Sequence, residues 1–189
     1  AFGMAEVMSE YSVEEGVSNL SIVRKRWEDV DPAADLDGRY DIVVASYSLG
    51  MEDITEAIRK MCSVSSRWVY IFWFAGMTTW EQAMTDLWPA LHRETFMLGP
   101  KADILYGVLH SMGIYPHVET LNSRHARRFA DLDAAVEEFR EQYRITTPRQ
   151  EDILRDYLSR TLTGDRNGLL LSGTTTRVKL YWEVNGKPE

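Results

Sequence analysis

Three stretches of the 189-residue chain place side chains able to hold a ligand where the pattern reads as the ends of strands. They are Arg26-Trp27-Glu28-Asp29, Ser46-Tyr47-Ser48-Leu49-Gly50-Met51 and Trp73-Phe74-Ala75-Gly76. An aromatic ring beside carboxylates suits a purine, which offers a face to stack on and an exocyclic amine to donate. Other chemistries are missing by pattern. No Gly-x-Gly occurs, so the glycine loop that lets backbone approach a nucleotide phosphate is absent from the chain. Neither Gly-x-Ser-x-Gly nor His-x-x-x-His occurs, and His92, His110, His117 and His125 fall at irregular spacings that define no metal site. The single cysteine, Cys62, cannot form an internal disulfide; it reads as a small core residue and points to a reducing, cytoplasmic setting.

The composition bounds what those residues can belong to. With 44% apolar and 26% charged residues, one globular domain is the default. No apolar run approaches the ~18 residues of a membrane span, and no leader pattern follows Ala1. The net charge of −8 repels a polyanion and argues against nucleic acid. Arg24-Lys25-Arg26 and the group Arg124, His125, Arg127 and Arg128 read as solvated faces. The first residue is not Met, so the expectation is a chain processed, or cut from something longer.

The elements that must position these residues follow from periodicity. Met4, Val7, Met8 and Tyr11 form one helical stripe that Gly16 ends, and 19–23 reads as a short strand. Residues 40–47 are apolar on both faces, as in a buried parallel strand. Asp53 and Glu56 make a capping box ahead of Ile54, Ala57, Ile58 and Met61, and 67–74 is another apolar run. On that run Trp68, Tyr70, Phe72 and Phe74 share one face, read as core. Strand, helix, strand in this order implies an α/β fold. Beyond Gly76 helices dominate. One is boxed by Thr78 and Glu81 and contains Pro89. Another spans 100–113, a third carries Leu132, Val136 and Phe139, and the last starts at Thr147, Pro148 and Gln150. Between them, 115–121 reads as a short extended piece. After a turn at 164–168 come a short strand, a second turn at Gly173, and an alternating strand with Thr176, Val178, Leu180 and Trp182 on one face, a hairpin closing the sheet.

In order and spacing, Gly3-Met4, Gly16-Val17-Ser18-Asn19, Trp27-Glu28-Asp29 and Tyr40-Asp41-Ile42-Val43-Val44-Ala45-Ser46-Tyr47-Ser48-Leu49 resemble the class I S-adenosylmethionine-dependent methyltransferases. The resemblance covers 1–76 and, more loosely, 168–184. It implies a Rossmann-like methyltransferase sheet, N-terminally truncated, with a helical insertion at 77–163 for substrate recognition or interaction and a C-terminal β-hairpin. It also implies S-adenosylmethionine as cofactor and a small-molecule methyl acceptor, with Trp27 and Glu28 bordering the adenine and Ser46, Ser48 and Leu49 lining the cofactor. Trp73, Trp80, Trp88, His92, Lys101, Asp103 and Tyr106 are the substrate-side candidates. The family's glycine-rich motif, and the acid that holds the ribose, belong to two strands that would precede Ala1. The chain is therefore expected to rearrange, to pair two copies as a homodimer through the unpaired sheet region, or to be the ordered remnant of a longer protein. The alternative to an enzyme is a non-catalytic methyltransferase-like binding or interaction module. A nucleotide-dependent oxidoreductase lacks even partial motifs.

Overall fold

A computed structural model describes residues 2–184. Its first elements are α1 (Phe2–Glu14), a 3-10 turn (Trp27–Asp29), α2 (Pro32–Asp35), β1 (Tyr40–Ser46), α3 (Ile54–Val64) and β2 (Ser65–Phe74). There follow α4 (Thr79–His92), α5 (Ala102–Ser111), β3 (His117–Phe129), α6 (Leu132–Arg140), α7 (Pro148–Thr161), β4 (Thr163–Asp165) and β5 (Gly168–Glu183). The strand order is β1-β2-β5-β3, with β4 also on β5. Backbone bonds from Val184 N–H to Arg67 O and from Ala75 N–H to Thr176 O run in opposite chain directions, so β5 lies antiparallel to β2, as it does to β3. This is the α/β architecture expected. No described helix is long and apolar enough to cross a membrane.

The described residues divide into two compact units, 2–43, 49–69 and 183–184 in one and 44–48 and 70–182 in the other. That division differs from the predicted core and helical insertion. Region 77–163 also supplies β3, a strand of 13 residues where only a short extended piece was expected.

In the first unit, Asp53 caps α3 by accepting the Glu56 N–H at 2.9 Å. The expected stripe is buried through Ala57, Ile58 and Met61 and extends to Val64. The helix α1 forms as read, but one expectation fails here. Residues 19–23 form no strand, because an extended segment becomes one only when another strand completes its hydrogen bonds. The α1 stripe is also uncovered: Met4, Val7, Met8 and Tyr11 are all exposed. What holds the irregular segment is Lys60, whose ammonium donates to the carbonyls of Trp27 at 2.9 Å, Glu28 at 3.0 Å and Val30 at 2.9 Å.

In the second unit, α4, α6 and α7 pack around Met84, Leu87, Leu91, Val136, Phe139, Leu154 and Leu158, with Phe129 at the end of β3. Of the three predicted capping boxes two form in full, at Thr78/Glu81 and at Thr147/Gln150 with Pro148 in the first turn, while at Asp53 only the bond from the Glu56 N–H is made. On β5 the expected face is buried at Val178, Leu180 and Trp182. Gly173 makes no turn; β5 runs straight through it. His125 stands opposite in the β3 register, and a Cβ on Gly173 would lie 2.3 Å from the His125 ring, so glycine here makes room for a cross-strand neighbour.

The two expected apolar strands are less buried than their composition suggests. On β2 the buried apolar side chains are Val69 and Ile71, both at 0% exposure, while Trp68, Tyr70, Phe72 and Phe74 are half-buried on the other face. There Tyr70 stacks on Tyr181 at 5.3 Å, and Tyr181 on His117 at 4.8 Å. β1 is not a buried strand at all. It ends the strand order, and Ile42 and Val44 are 56% and 55% exposed.

Candidate functional site

The second unit gathers its chemistry where β1 and β2 end. Tyr47, one residue past β1, takes a left-handed backbone (φ 51°) while its N–H donates to Phe72 O at 3.1 Å. A non-glycine residue in this region is uncommon, and such positions concentrate at functional sites. The turn lays the Tyr47 ring against Phe74, 5.1 Å between centroids, and puts the Arg177 guanidinium 5.1 Å from the Tyr47 ring centre. Phe74 also receives the Lys101 ammonium, 5.7 Å from its centre. Trp73 packs beside Phe74 and donates its indole N–H to Pro100 O at 3.0 Å, which fixes the segment carrying Lys101.

The electrostatics centre on Glu81, in the first turn of α4. Only 3% of the residue is exposed. One carboxylate oxygen accepts the Thr78 N–H at 2.9 Å and the Thr78 hydroxyl at 3.0 Å; the other accepts from Lys101. Burial pushes this carboxyl toward its neutral form, but the Lys101 ammonium and the two Thr78 donors outweigh it and hold Glu81 below the ordinary glutamate range. Glu81 is thus a fixed anion that anchors Lys101, with both oxygens occupied, and not a proton acceptor poised near neutrality. Arg177 contributes an unusual donor: its Nε is buried and finds no hydrogen-bond partner among the described residues. A buried donor left unsatisfied costs on the order of 1–3 kcal/mol, and the Trp182 indole N–H is in the same state.

Beside this cluster an open cavity of about 460 Å³ is lined by Thr79, Arg124, His125, Ala126, Ser172, Gly173 and Thr174. Thr79, in the first turn of α4, joins it to β5 by accepting the Thr174 N–H at 3.0 Å and donating to Thr174 O at 2.9 Å. The basic group read as a solvated face divides here. Arg127 pairs with Glu138 and Arg128 with Asp165, whereas Arg124 and His125 line the cavity.

Of the residues proposed from sequence, Ser46 and Ser48 flank Tyr47, both exposed, and Trp73 and Lys101 belong to the cluster. Trp80, 41% exposed, lies in the first turn of α4. Asp103 and Tyr106 lie on α5, both exposed. Trp88 and His92 stand apart, about two to three turns of α4 beyond Glu81. They pack on each other at 4.3 Å, His92 contacts the Tyr143 carbonyl at 2.9 Å, and Trp88 lies against the helical core. In the first unit, the Trp27 indole N–H donates to Ala57 O at 3.2 Å and Lys60 lies 5.6 Å from its ring centre, so the ring is committed to α3. Glu28 is exposed and Leu49 is buried. Tyr47 and Phe74 stood inside the quoted strand-end stretches without an assigned role, and Glu81 and Arg177 were not among the site candidates. Glu81 stood inside a capping box, but nothing local marks Arg177. No group of three or more metal-ligating side chains occurs among the described residues.

This architecture is the class I methyltransferase fold, with an open sheet. The chain is similar in structure to the YcgJ protein from Bacillus subtilis, at 14% identity with a TM-score of 0.55, covering 97% of this chain and 79% of that one. It is similar also to a provisionally assigned methyltransferase, BH2331, from Bacillus halodurans, at 11% identity with a TM-score of 0.56, covering 96% of this chain and 78% of that one. At such identities the likeness is one of fold. No family model and no curated protein sequence matches the chain.

Proposed function

We propose that the chain transfers a methyl group from S-adenosylmethionine to a small-molecule acceptor at the carboxyl ends of β1 and β2. The observation that carries this reading is the cluster of Tyr47, Phe74, Arg177 and Lys101 at those ends, where open α/β sheets take ligands between crossover loops. The residues fit the cofactor's chemistry. Tyr47 and Phe74 already face one cation each, and aromatic faces of this kind suit a sulfonium. The Arg177 guanidinium at the Tyr47 ring suits a carboxylate, and the exposed Ser46 and Ser48, which flank Tyr47 in sequence, offer hydroxyls that accept or donate. When bound, the cofactor supplies an activated methyl on sulfur. The chain's own contribution is alignment: Trp73 and Glu81 hold the Pro100-Lys101 segment against Phe74, and the cavity carrying Arg124 and His125 gives an acceptor a polar wall.

The non-catalytic reading has one observation in its favour. The Trp27 ring and indole N–H, assigned by resemblance to the adenine, are spent on Lys60 and Ala57. Calorimetric titration with S-adenosylhomocysteine separates the two. Micromolar binding is expected, weakened about tenfold or more in Arg177→Met through loss of a charged donor. Silence of the wild-type chain supports the binding-module reading instead.

A further inference from the structure

We propose that the cavity beside Thr79 binds an oxyanion, so that the small molecule it takes as methyl acceptor carries a phosphate or carboxylate group. The acceptor role rests on the methyl-transfer reading, whereas binding of the anion does not. The cavity lies within the second unit, on β3, β5 and the first turn of α4. In the register of β3 with β5, Arg124 stands opposite Thr174 and Ala126 opposite Ser172. Side chains alternate along a strand, so these four share one face, while His125 and Gly173 stand on the other. Thr174 spends its N–H and its carbonyl on the Thr79 hydroxyl, on the same side as Thr176, whose carbonyl accepts the Ala75 N–H. Arg124 and Thr174 are therefore a pair without backbone bonds between them, the kind in which facing side chains come closest. Ser172 is the diagonal neighbour, within reach of a side chain as long as arginine.

That face gathers one guanidinium and two hydroxyls around the small side chain of Ala126, which leaves them room. The cation is unspent. Further along β3, Arg127 and Arg128 are neutralised by Glu138 and Asp165, but Arg124 meets no carboxylate among the described residues, and the Ser172 hydroxyl has no partner there. No acidic side chain among the described residues lines the cavity. In a chain of net charge −8, a concave wall with a free cation, two hydroxyls and no carboxylate selects an anion rich in acceptor atoms. A volume of about 460 Å³ exceeds a lone phosphate or carboxylate and suits a small organic molecule that carries one. Thr79 sets this cavity beside the aromatic cluster, because it begins the turn of α4 whose Glu81 holds Lys101 near Phe74.

Amide spectra of the isotope-labelled chain, recorded while inorganic phosphate or acetate replaces chloride at constant ionic strength, test the site. Saturable shifts with a millimolar midpoint are expected, confined to the amides around 124–126 and 172–174. In Arg124→Gln the affinity is expected to fall about tenfold or more. Arg124 is exposed, so the circular dichroism of that variant should match the wild type. Shifts that do not saturate with either anion, that lie elsewhere, or that persist unchanged in Arg124→Gln overturn the anion site. Calorimetric titration with S-adenosylhomocysteine keeps the two readings apart. Arg124→Gln is expected to bind it within about twofold of the wild type. A tenfold loss would give the anion site to the cofactor and overturn its assignment to the acceptor. A chain that binds phosphate but is silent toward S-adenosylhomocysteine would end the methyl-transfer reading and keep the anion site; cofactor binding without anion binding would do the reverse.

Discussion

Lys101→Ala is expected to lower stability by about 3 kcal/mol at neutral pH, the scale of breaking one partner out of a buried ion pair. In a chain of this length that corresponds to a fall in Tm of roughly 6–12 °C. The cause is what remains. The Glu81 side chain is 4% exposed, and without the ammonium it keeps a charge with only the Thr78 donors to offset it. Burial then dominates and the carboxyl rises. The pH dependence follows from the direction of the native shift. Glu81 is held low in the folded chain, so its pairing stabilises fully above the ordinary carboxylate range and is lost progressively as pH falls from that range through the lower folded value. Urea unfolding at pH 7 and near pH 4 should therefore show a large gap between wild type and Lys101→Ala that narrows on acidification. Glu81→Gln keeps an amide oxygen for Thr78 and leaves Lys101, 16% exposed, able to reach water, so its cost is expected near ~1 kcal/mol. A loss in Lys101→Ala below ~0.5 kcal/mol, the range of ordinary surface substitutions, would show that the pair carries no such stability.

Gly168→Ala should cost at least about 3 kcal/mol, since it combines a conformation closed to L-residues with a backbone collision. Gly168 begins β5 at φ 117°, and a Cβ there would lie 2.3 Å from Phe129 O and 3.2 Å from Ala130 O. Neither oxygen belongs to a side chain that can swing away. The surrounding turn is fixed by the Asn167 N–H, which bonds Asp165 at 2.7 Å, and by the paired contacts of Arg128 with Asp165. Gly164, four residues earlier, is the control: its added Cβ would meet only Leu169 Cδ2, at 3.9 Å. Denaturant midpoints should drop sharply for Gly168→Ala and move by no more than ~0.5 kcal/mol for Gly164→Ala. Equal losses in the two variants would mean that the hairpin relaxes around Gly168.

What could be read beforehand was whatever is decided within a few residues. The caps at Thr78 and Thr147 form as read, because donor and acceptor are three residues apart and helical geometry brings them together. The alternation of Val178, Leu180 and Trp182 survives for the same reason. Residues 19–23 have the composition of a strand, but among the described residues no strand pairs with them, and pairing is a property of the whole sheet. Gly173 looked like punctuation because a glycine in a turn and a glycine under a histidine ring are alike in one dimension. The site shows the same limit. Lys101 was named, yet its partner Glu81 lies 20 residues back and Arg177 reaches Tyr47 from 130 residues away. Only the packing of the folded chain brings them together.

The ammonium of Lys60 carries a consequence for handling the protein. Residues 16–26 are without helix or strand, and the carbonyls just beyond them, at Trp27, Glu28 and Val30, share one donor. Lys60 gathers three of these carbonyls at once, beside the Trp27 indole bond to Ala57 and the Lys25–Asp35 pair, and the stretch contains three consecutive trypsin sites at Arg24, Lys25 and Arg26. Lys60→Met should therefore be nicked at that triplet several-fold faster than the wild type, with β3, β5 and the helices around Phe139 left intact on the gel. One side chain, more than 30 residues away in sequence, thus acts as a latch on the proteolytic lifetime of this segment.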